Sequence, residues 1–210
     1  LTSDNSTLNN LAGGRLLASG AMQLTNVQLN NAGQVAADGL GISASTLTNN
    51  GGIQGTNGLT LQADTLINRN NGELLTGGKL TLNSGELAND GLLQGGMLDV
   101  TADNWRNGGN MLSAQDATVN VHNTLTNSGK ILGQQKLGVE AATTDNSGWL
   151  AAQVLTLHSD LVNSGLLQGT DGLTLQGGTL TSNSSGQILT SGQATVTAGR
   201  RDTLGSTTTG

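Results

Sequence analysis

The sequence predicts an all-β solenoid of about ten coils, each of roughly 19 residues and each carrying three short parallel strands. Three observations predict it. A short phrase returns along the chain, as Leu29-Asn30-Asn31-Ala32-Gly33, Leu47-Thr48-Asn49-Asn50-Gly51, Leu87-Ala88-Asn89-Asp90-Gly91, Leu125-Thr126-Asn127-Ser128-Gly129 and Leu161-Val162-Asn163-Ser164-Gly165. Variants begin at Leu8, Leu66, Trp105, Thr144 and Leu180, which makes the mean spacing about 19 residues,. Second, aliphatic and polar residues alternate in short runs, the period of a strand with one face turned inward. Third, the 210 residues include no Phe, no Tyr and only two Trp. A wide globular core is filled with aromatics, so their scarcity fits a narrow core of Leu, Ile, Val and Ala.

Each coil divides into three segments. The first is the Leu-x-Asn phrase, with the recurrent amide at Asn10, Asn31, Asn49, Asn68, Asn89, Asn107, Asn127, Asn146 and Asn163. This Asn lies two residues after the leading Leu, so it points to the same side, inward. A buried amide is costly unless its donors and acceptors are met. Coils stacked in register let each Asn bond the Asn above and below, which predicts a structural ladder of the kind seen in stacked strands. The Gly that follows marks a corner, either through a backbone conformation closed to other residues or through close approach.

The second segment reads aliphatic-x-small, as in Val35-Ala36-Ala37, Ile53-Gln54-Gly55 and Leu167-Gln168-Gly169. The third reads Leu-x-aliphatic, as in Leu59-Thr60-Leu61, Leu80-Thr81-Leu82 and Leu155-Thr156-Leu157. Gly, Asn, Asp and Ser fill the gaps as turn residues, and no window keeps a helical period. The repeats at Leu66 and Leu180 carry extra residues before their Gly and are expected to bulge from one edge.

Composition excludes several classes. Disorder would suit so much Gly, Asn, Ser and Thr, but a disordered tract has no reason to hold aliphatic residues in register. The net charge is −6 with few, scattered Lys and Arg, so no basic stripe is available for nucleic acid. No apolar run reaches the roughly 18 residues of a membrane helix, so no membrane insertion is expected. There is no Cys, hence no disulfide scaffold and no thiolate metal site. The chain opens on Leu1 and is repeat-like at both ends without a polar cap. The expectation is one solenoid segment, 1–210, of a longer protein, with regular repeats over 8–199 and a partial or frayed coil over 200–210.

The search for chemistry yields no catalytic, metal or cofactor site. Asp64, Asp103 and Asp160 lie close before a leading residue, where Asp suits a turn. Asp116, Asp145 and Asp171 lie elsewhere in their coils, and no pair of acids is grouped as glycoside cleavage requires. The calcium-binding nonapeptide of some solenoids is missing. His122, Glu140 and His158 are expected to stack in one outward column as an exposed charge ladder without a third nitrogen or sulfur ligand. Trp105 replaces a leading Leu and is expected in the core. Trp149 is expected to point outward, in a column with Gln34, Glu73, Lys130 and Gln187 and with Leu92 and Leu166. Trp149 and Leu166 together are the candidate surface contact.

The Leu-x-Asn-x-Gly phrase, the aliphatic-x-small segment and the Leu-x-Leu segment together resemble filamentous haemagglutinin repeats, over about residues 8 to 199. The resemblance implies a right-handed parallel β-helix and export from a Gram-negative bacterium through an outer-membrane partner transporter, with the product secreted or held at the cell surface. Members include filamentous adhesins and contact-dependent growth inhibition toxins. The family's amino-terminal secretion domain carries an Asn-Pro motif, and this chain has no Pro. The stretch therefore resembles the shaft, whose role is to present a distal receptor-binding or toxin region, with any target-cell receptor met through other regions. The alternative is a direct adhesion module whose sheet faces bind carbohydrate or host protein. A polysaccharide-degrading β-helix is the weaker third reading.

Overall fold

The computed structural model describes residues 2–203 and 206–209. Its regular elements are eighteen β-strands, and all of their pairings are parallel. Successive turns of the chain stack as a solenoid. The ten leading residues stand in one file, with Leu8, Leu29, Leu47, Leu66, Leu87, Trp105, Leu125, Thr144, Leu161 and Leu180 each paired to the next. The second segment forms its own file, for example Leu74, Leu93, Met111, Ile131, Leu150 and Leu167. The third does likewise through Leu59, Leu80, Leu98, Ala117, Leu137 and Leu155. Three ladders thus surround one core, with coils spaced at the ordinary inter-strand distance of about 4.8 Å.

Within each strand, successive residues alternate between core and solvent. In Lys79–Asn89, Leu80, Leu82, Leu87 and Asn89 are buried while Lys79, Asn83 and Glu86 are exposed. Among the described residues, the large apolar side chains of the core are Leu, Ile, Val and Met, with Trp105 its single aromatic. Trp105 is 1% exposed and stands between Leu87 and Leu125, in a Leu position.

The strands are longer than three segments with turns between would give. The third segment of one coil runs on into the Leu-x-Asn phrase of the next as a single strand, as in Met97–Asn107 and Ala117–Asn127. The corner between them is a bend with a register shift, placed between Val121 and Thr124 in one coil, rather than a turn that breaks pairing.

The Gly corner is explained by close approach. Gly13, with φ of 80°, is the positive-φ Gly among the described residues. A Cβ on Gly33, Gly51 or Gly91 would instead meet the carbonyl oxygen of Gly14, Gly33 or Gly72 in the coil before. The glycines stack on one another, and any side chain would push two coils apart.

The long corners at 69–72 and 183–186 are turns with Asn70, Asn71, Ser184 and Ser185 exposed and the closing glycines buried, Gly72 N–H on the Arg69 carbonyl at 2.7 Å and Gly186 N–H on the Asn183 carbonyl at 3.0 Å. A third, not anticipated from the sequence, spans Leu11–Gly14, where Gly14 N–H meets the Leu11 carbonyl at 2.8 Å and Leu11 is 73% exposed. Of the residues expected as a partial or frayed coil, Leu204, Gly205 and Gly210 lie outside the described residues. Strand continues to Thr203 and again over Ser206–Thr209.

Candidate functional site

The feature built most consistently from coil to coil is the asparagine column. Each Nδ2 donates to the Oδ1 of the next coil's Asn, beginning with Asn10 to Asn31 at 2.7 Å and Asn31 to Asn49 at 2.8 Å. The file continues through Asn68, Asn89, Asn107, Asn127 and Asn146 to Asn163, with every step at 2.8 or 2.9 Å. The second Nδ2 proton goes to backbone carbonyls at the corner, for example from Asn49 to Gly51 at 2.9 Å and from Asn127 to Trp149 at 3.1 Å. Asn49 through Asn163 are fully buried. Their polar atoms are therefore satisfied inside the rod, where an unmet amide would cost about 1–3 kcal/mol.

The column has a direction. Every side-chain amide donates toward the carboxyl-terminal neighbour. Beside it, the backbone N–H just after each Asn donates the other way, to the Asn carbonyl of the preceding coil. Asp90 to Asn68 at 2.8 Å, Ser128 to Asn107 at 2.9 Å and Ser164 to Asn146 at 2.8 Å are examples. Two strings of dipoles thus run side by side in opposite senses.

One coil departs from the aliphatic core. Thr144 fills a leading Leu position, is 2% exposed, and donates its hydroxyl to Ser159 Oγ at 2.8 Å. Ser159 in turn donates to the Asp160 carbonyl at 2.9 Å. Two buried atoms, Trp105 Nε1 and Asp116 Oδ1, have no hydrogen-bond partner among the described residues.

The outward faces carry isolated polar contacts. Arg106 clamps Asp90 with two hydrogen bonds, 2.7 and 2.6 Å. The Arg106 hydrogen bond holds the Asp90 carboxyl below its usual range. Lys79 meets Asp99 at 2.8 Å. Of the three acids near leading residues, Asp103 pairs with His122 at 2.7 Å, Asp160 accepts from Thr179 N–H at 2.9 Å, and Asp64 is exposed.

The expected column of His122, Glu140 and His158 is corrected. Glu140 does stand beside His158, with Oε1 3.9 Å from Nδ1. Its partner in the coil before is Asn120, however, and His122 lies two residues further on, at the corner, where it faces Asp103. Among the described residues no three His, Cys, Asp or Glu lie close enough to hold a metal ion.

Trp149 is 47% exposed and registers between Lys130 and Leu166. The Lys130 ammonium lies 4.5 Å from the centroid of the indole ring, a cation–π contact. Leu166 is half-buried. The faces otherwise offer open depressions, one of about 390 Å³ over Leu66, Leu87 and Trp105.

Comparison with known proteins places this architecture. A family model described as haemagglutinin repeat matches residues 1–40, 32–104, 94–165 and 154–210. A deoxyribonuclease CdiA of Dickeya dadantii is 34% identical over 199 residues, covering 92% of this chain and 6% of that protein. A tRNA nuclease CdiA of Escherichia coli is 35% identical, covering 89% of this chain and 6% of that protein. A 16S rRNA endonuclease CdiA of Enterobacter cloacae is 32% identical, covering 95% of this chain and 7% of that protein. The chain thus spans less than a tenth of the length of these relatives. No solved structure matches it.

Proposed function

The chain belongs to the haemagglutinin repeat family, and on that footing we propose that it is a structural shaft segment of a large exoprotein, secreted or displayed at the surface of a Gram-negative bacterium. The shaft holds a distal receptor-binding or toxin region away from the producing cell. The observation that carries this reading is the unbroken file of leading residues from Leu8 to Leu180, which gives every coil the same axial neighbour relation. Such a stack transmits position along one axis and nothing else.

The names of the relatives support a common mechanical role. They are named for different nucleic acid targets, yet each contains a stretch similar to this chain at 32–35% identity. A part shared by proteins with different named activities serves what they have in common. Export runs through an outer-membrane partner transporter, and target-cell receptors are met through other regions. The segment itself is not an enzyme.

The test is a pair of deletions in the full-length parent. Removing residues 87–124 joins Glu86 to Leu125 and keeps the file of leading residues intact. Removing 87–134 breaks it. A shaft tolerates the first and still presents its distal region, and loses presentation with the second. Equal loss from both would overturn the reading.

A second reading, direct adhesion, rests on Trp149 and Leu166 at adjacent positions of one outward column. It requires the isolated segment to bind target cells or glycan arrays, and Trp149→Ala to abolish that binding.

A further inference from the structure

The chain contains four Asn-Gly dipeptides, at Asn50-Gly51, Asn57-Gly58, Asn71-Gly72 and Asn107-Gly108. This pair is prone to spontaneous loss of the side-chain amide, because Gly has no Cβ to hinder attack by its backbone nitrogen. The reaction needs a mobile Asn side chain and an unengaged Gly nitrogen. The structure sorts the four by those two requirements.

Asn107 meets neither. It is fully buried, its Nδ2 donates to Asn127, its Oδ1 accepts from Asn89, and Gly108 N–H is bonded to the Asn89 carbonyl at 2.8 Å. Asn57 is exposed, but its Nδ2 is tied to Asp38 at 2.5 Å. Asn71 is exposed, but Gly72 N–H is engaged by the Arg69 carbonyl at 2.7 Å. Asn50 meets both. Its side chain is exposed and makes no hydrogen bond among the described residues, and Gly51 N–H has only a long contact, 3.3 Å to Asn49 Oδ1.

We propose that Asn50-Gly51 is a deamidation site built into this segment, and that the asparagine column protects the same dipeptide at Asn107. Gly51 N attacks Asn50 Cγ to form a new N–C bond and a succinimide ring. The side-chain nitrogen leaves as ammonia, taking the Gly51 amide proton. Water then opens the ring at either carbonyl, leaving aspartate or isoaspartate, and is the sole co-reactant. The isoaspartate route adds a carbon to the main chain in the corner after Asn49. A Cβ on Gly51 would already meet the Gly33 carbonyl, so the lengthened corner has to shift outward and pulls on Asn49.

The whole folded chain is incubated at mildly alkaline pH and mapped by peptide mass spectrometry, beside a sample in denaturant. In the folded sample Asn50 converts more than about tenfold faster than Asn107, which reacts only from an opened coil. In denaturant the two rates converge. Asn50→Gln removes the dominant product and leaves the slower sites as they were. The proposal is overturned if folded Asn107 keeps pace with Asn50, if Asn57 or Asn71 converts first, or if Asn50 stays intact while the denatured sample converts.

Discussion

Asn163 Nδ2 and Ser182 Oγ stand 3.5 Å apart, whereas every earlier step of the same column, from Asn10 to Asn163, closes at 2.7 to 2.9 Å. Asn107 therefore has two strong neighbours and Asn163 one. Asn107→Ala strands the Asn89 donor and the Asn127 acceptor in a buried site, which costs about 1–3 kcal/mol for each. Asn163→Ala strands only the Asn146 donor, so it costs roughly half as much. Denaturant midpoints compare the two, and equal losses would mean that Ser182 substitutes fully for Asn.

Glycines at corners and in strands differ in what surrounds them. A Cβ on Gly91 would meet the carbonyls of Gly72 and Arg69, whereas one on Gly138 has nothing within 4 Å. Gly91→Ala is expected to lower stability by about 1–3 kcal/mol through overpacking. Gly138→Thr, in an outward strand position, is expected to raise it by up to about 1 kcal/mol. Thermal unfolding of both variants separates close approach from a general intolerance of substituted glycine.

The Asp90–Arg106 clamp is sensitive to acid. The folded-state pKa of Asp90 is lowered from its ordinary 3.8, first by the Arg106 hydrogen bond. Its contribution is thus present above pH 3.8 and is lost as pH falls through the lowered value,. The pair is partly exposed, so Asp90→Asn costs less than about 1 kcal/mol at neutral pH. The difference from the parent vanishes in strong acid and shrinks in high salt. A difference that persisted under both conditions would point to packing instead of charge.

Thr144 and Ser159 are coupled asymmetrically. Thr144 donates to Ser159, and Ser159 donates onward to a carbonyl. Ser159→Ala leaves the buried Thr144 hydroxyl without an acceptor and costs about 1–3 kcal/mol. Thr144→Val leaves the Ser159 donor satisfied and is expected to change stability by less than about 1 kcal/mol. Hydrogen exchange in the coil Trp149–Asn163 resolves this locally, which suits an array where openings need not be global.

The solenoid was legible because each leading Leu is both a spacing mark and a core residue, so counting from Leu29 to Leu47 to Leu66 already gives the pairing. His122 was misplaced for a related reason. Ala117, Val119 and Val121 are all buried in alternation, so a slip of two residues keeps every side chain on its correct side. The period shows which side faces in, but not which of two equivalent frames is used. The Thr144–Ser159 bond joins a leading residue to the corner just before Leu161, its partner in the next coil, and the register shift at that corner hides the contact from any spacing rule. Close approach at the glycines was one of two readings that composition left open, and backbone angles were needed to choose.

The two opposed strings of hydrogen bonds beside the Gly corner make each coil a keyed plug. A coil already in place offers its successor an Asn amide proton and, next to it, a backbone carbonyl. The arriving coil has to bring an Oδ1 to the first and an N–H to the second. A frame error of one residue turns the Asn outward and leaves the offered amide proton unmet. Proofreading of register is thereby repeated at every step of the stack, with no information needed from beyond the adjoining coil.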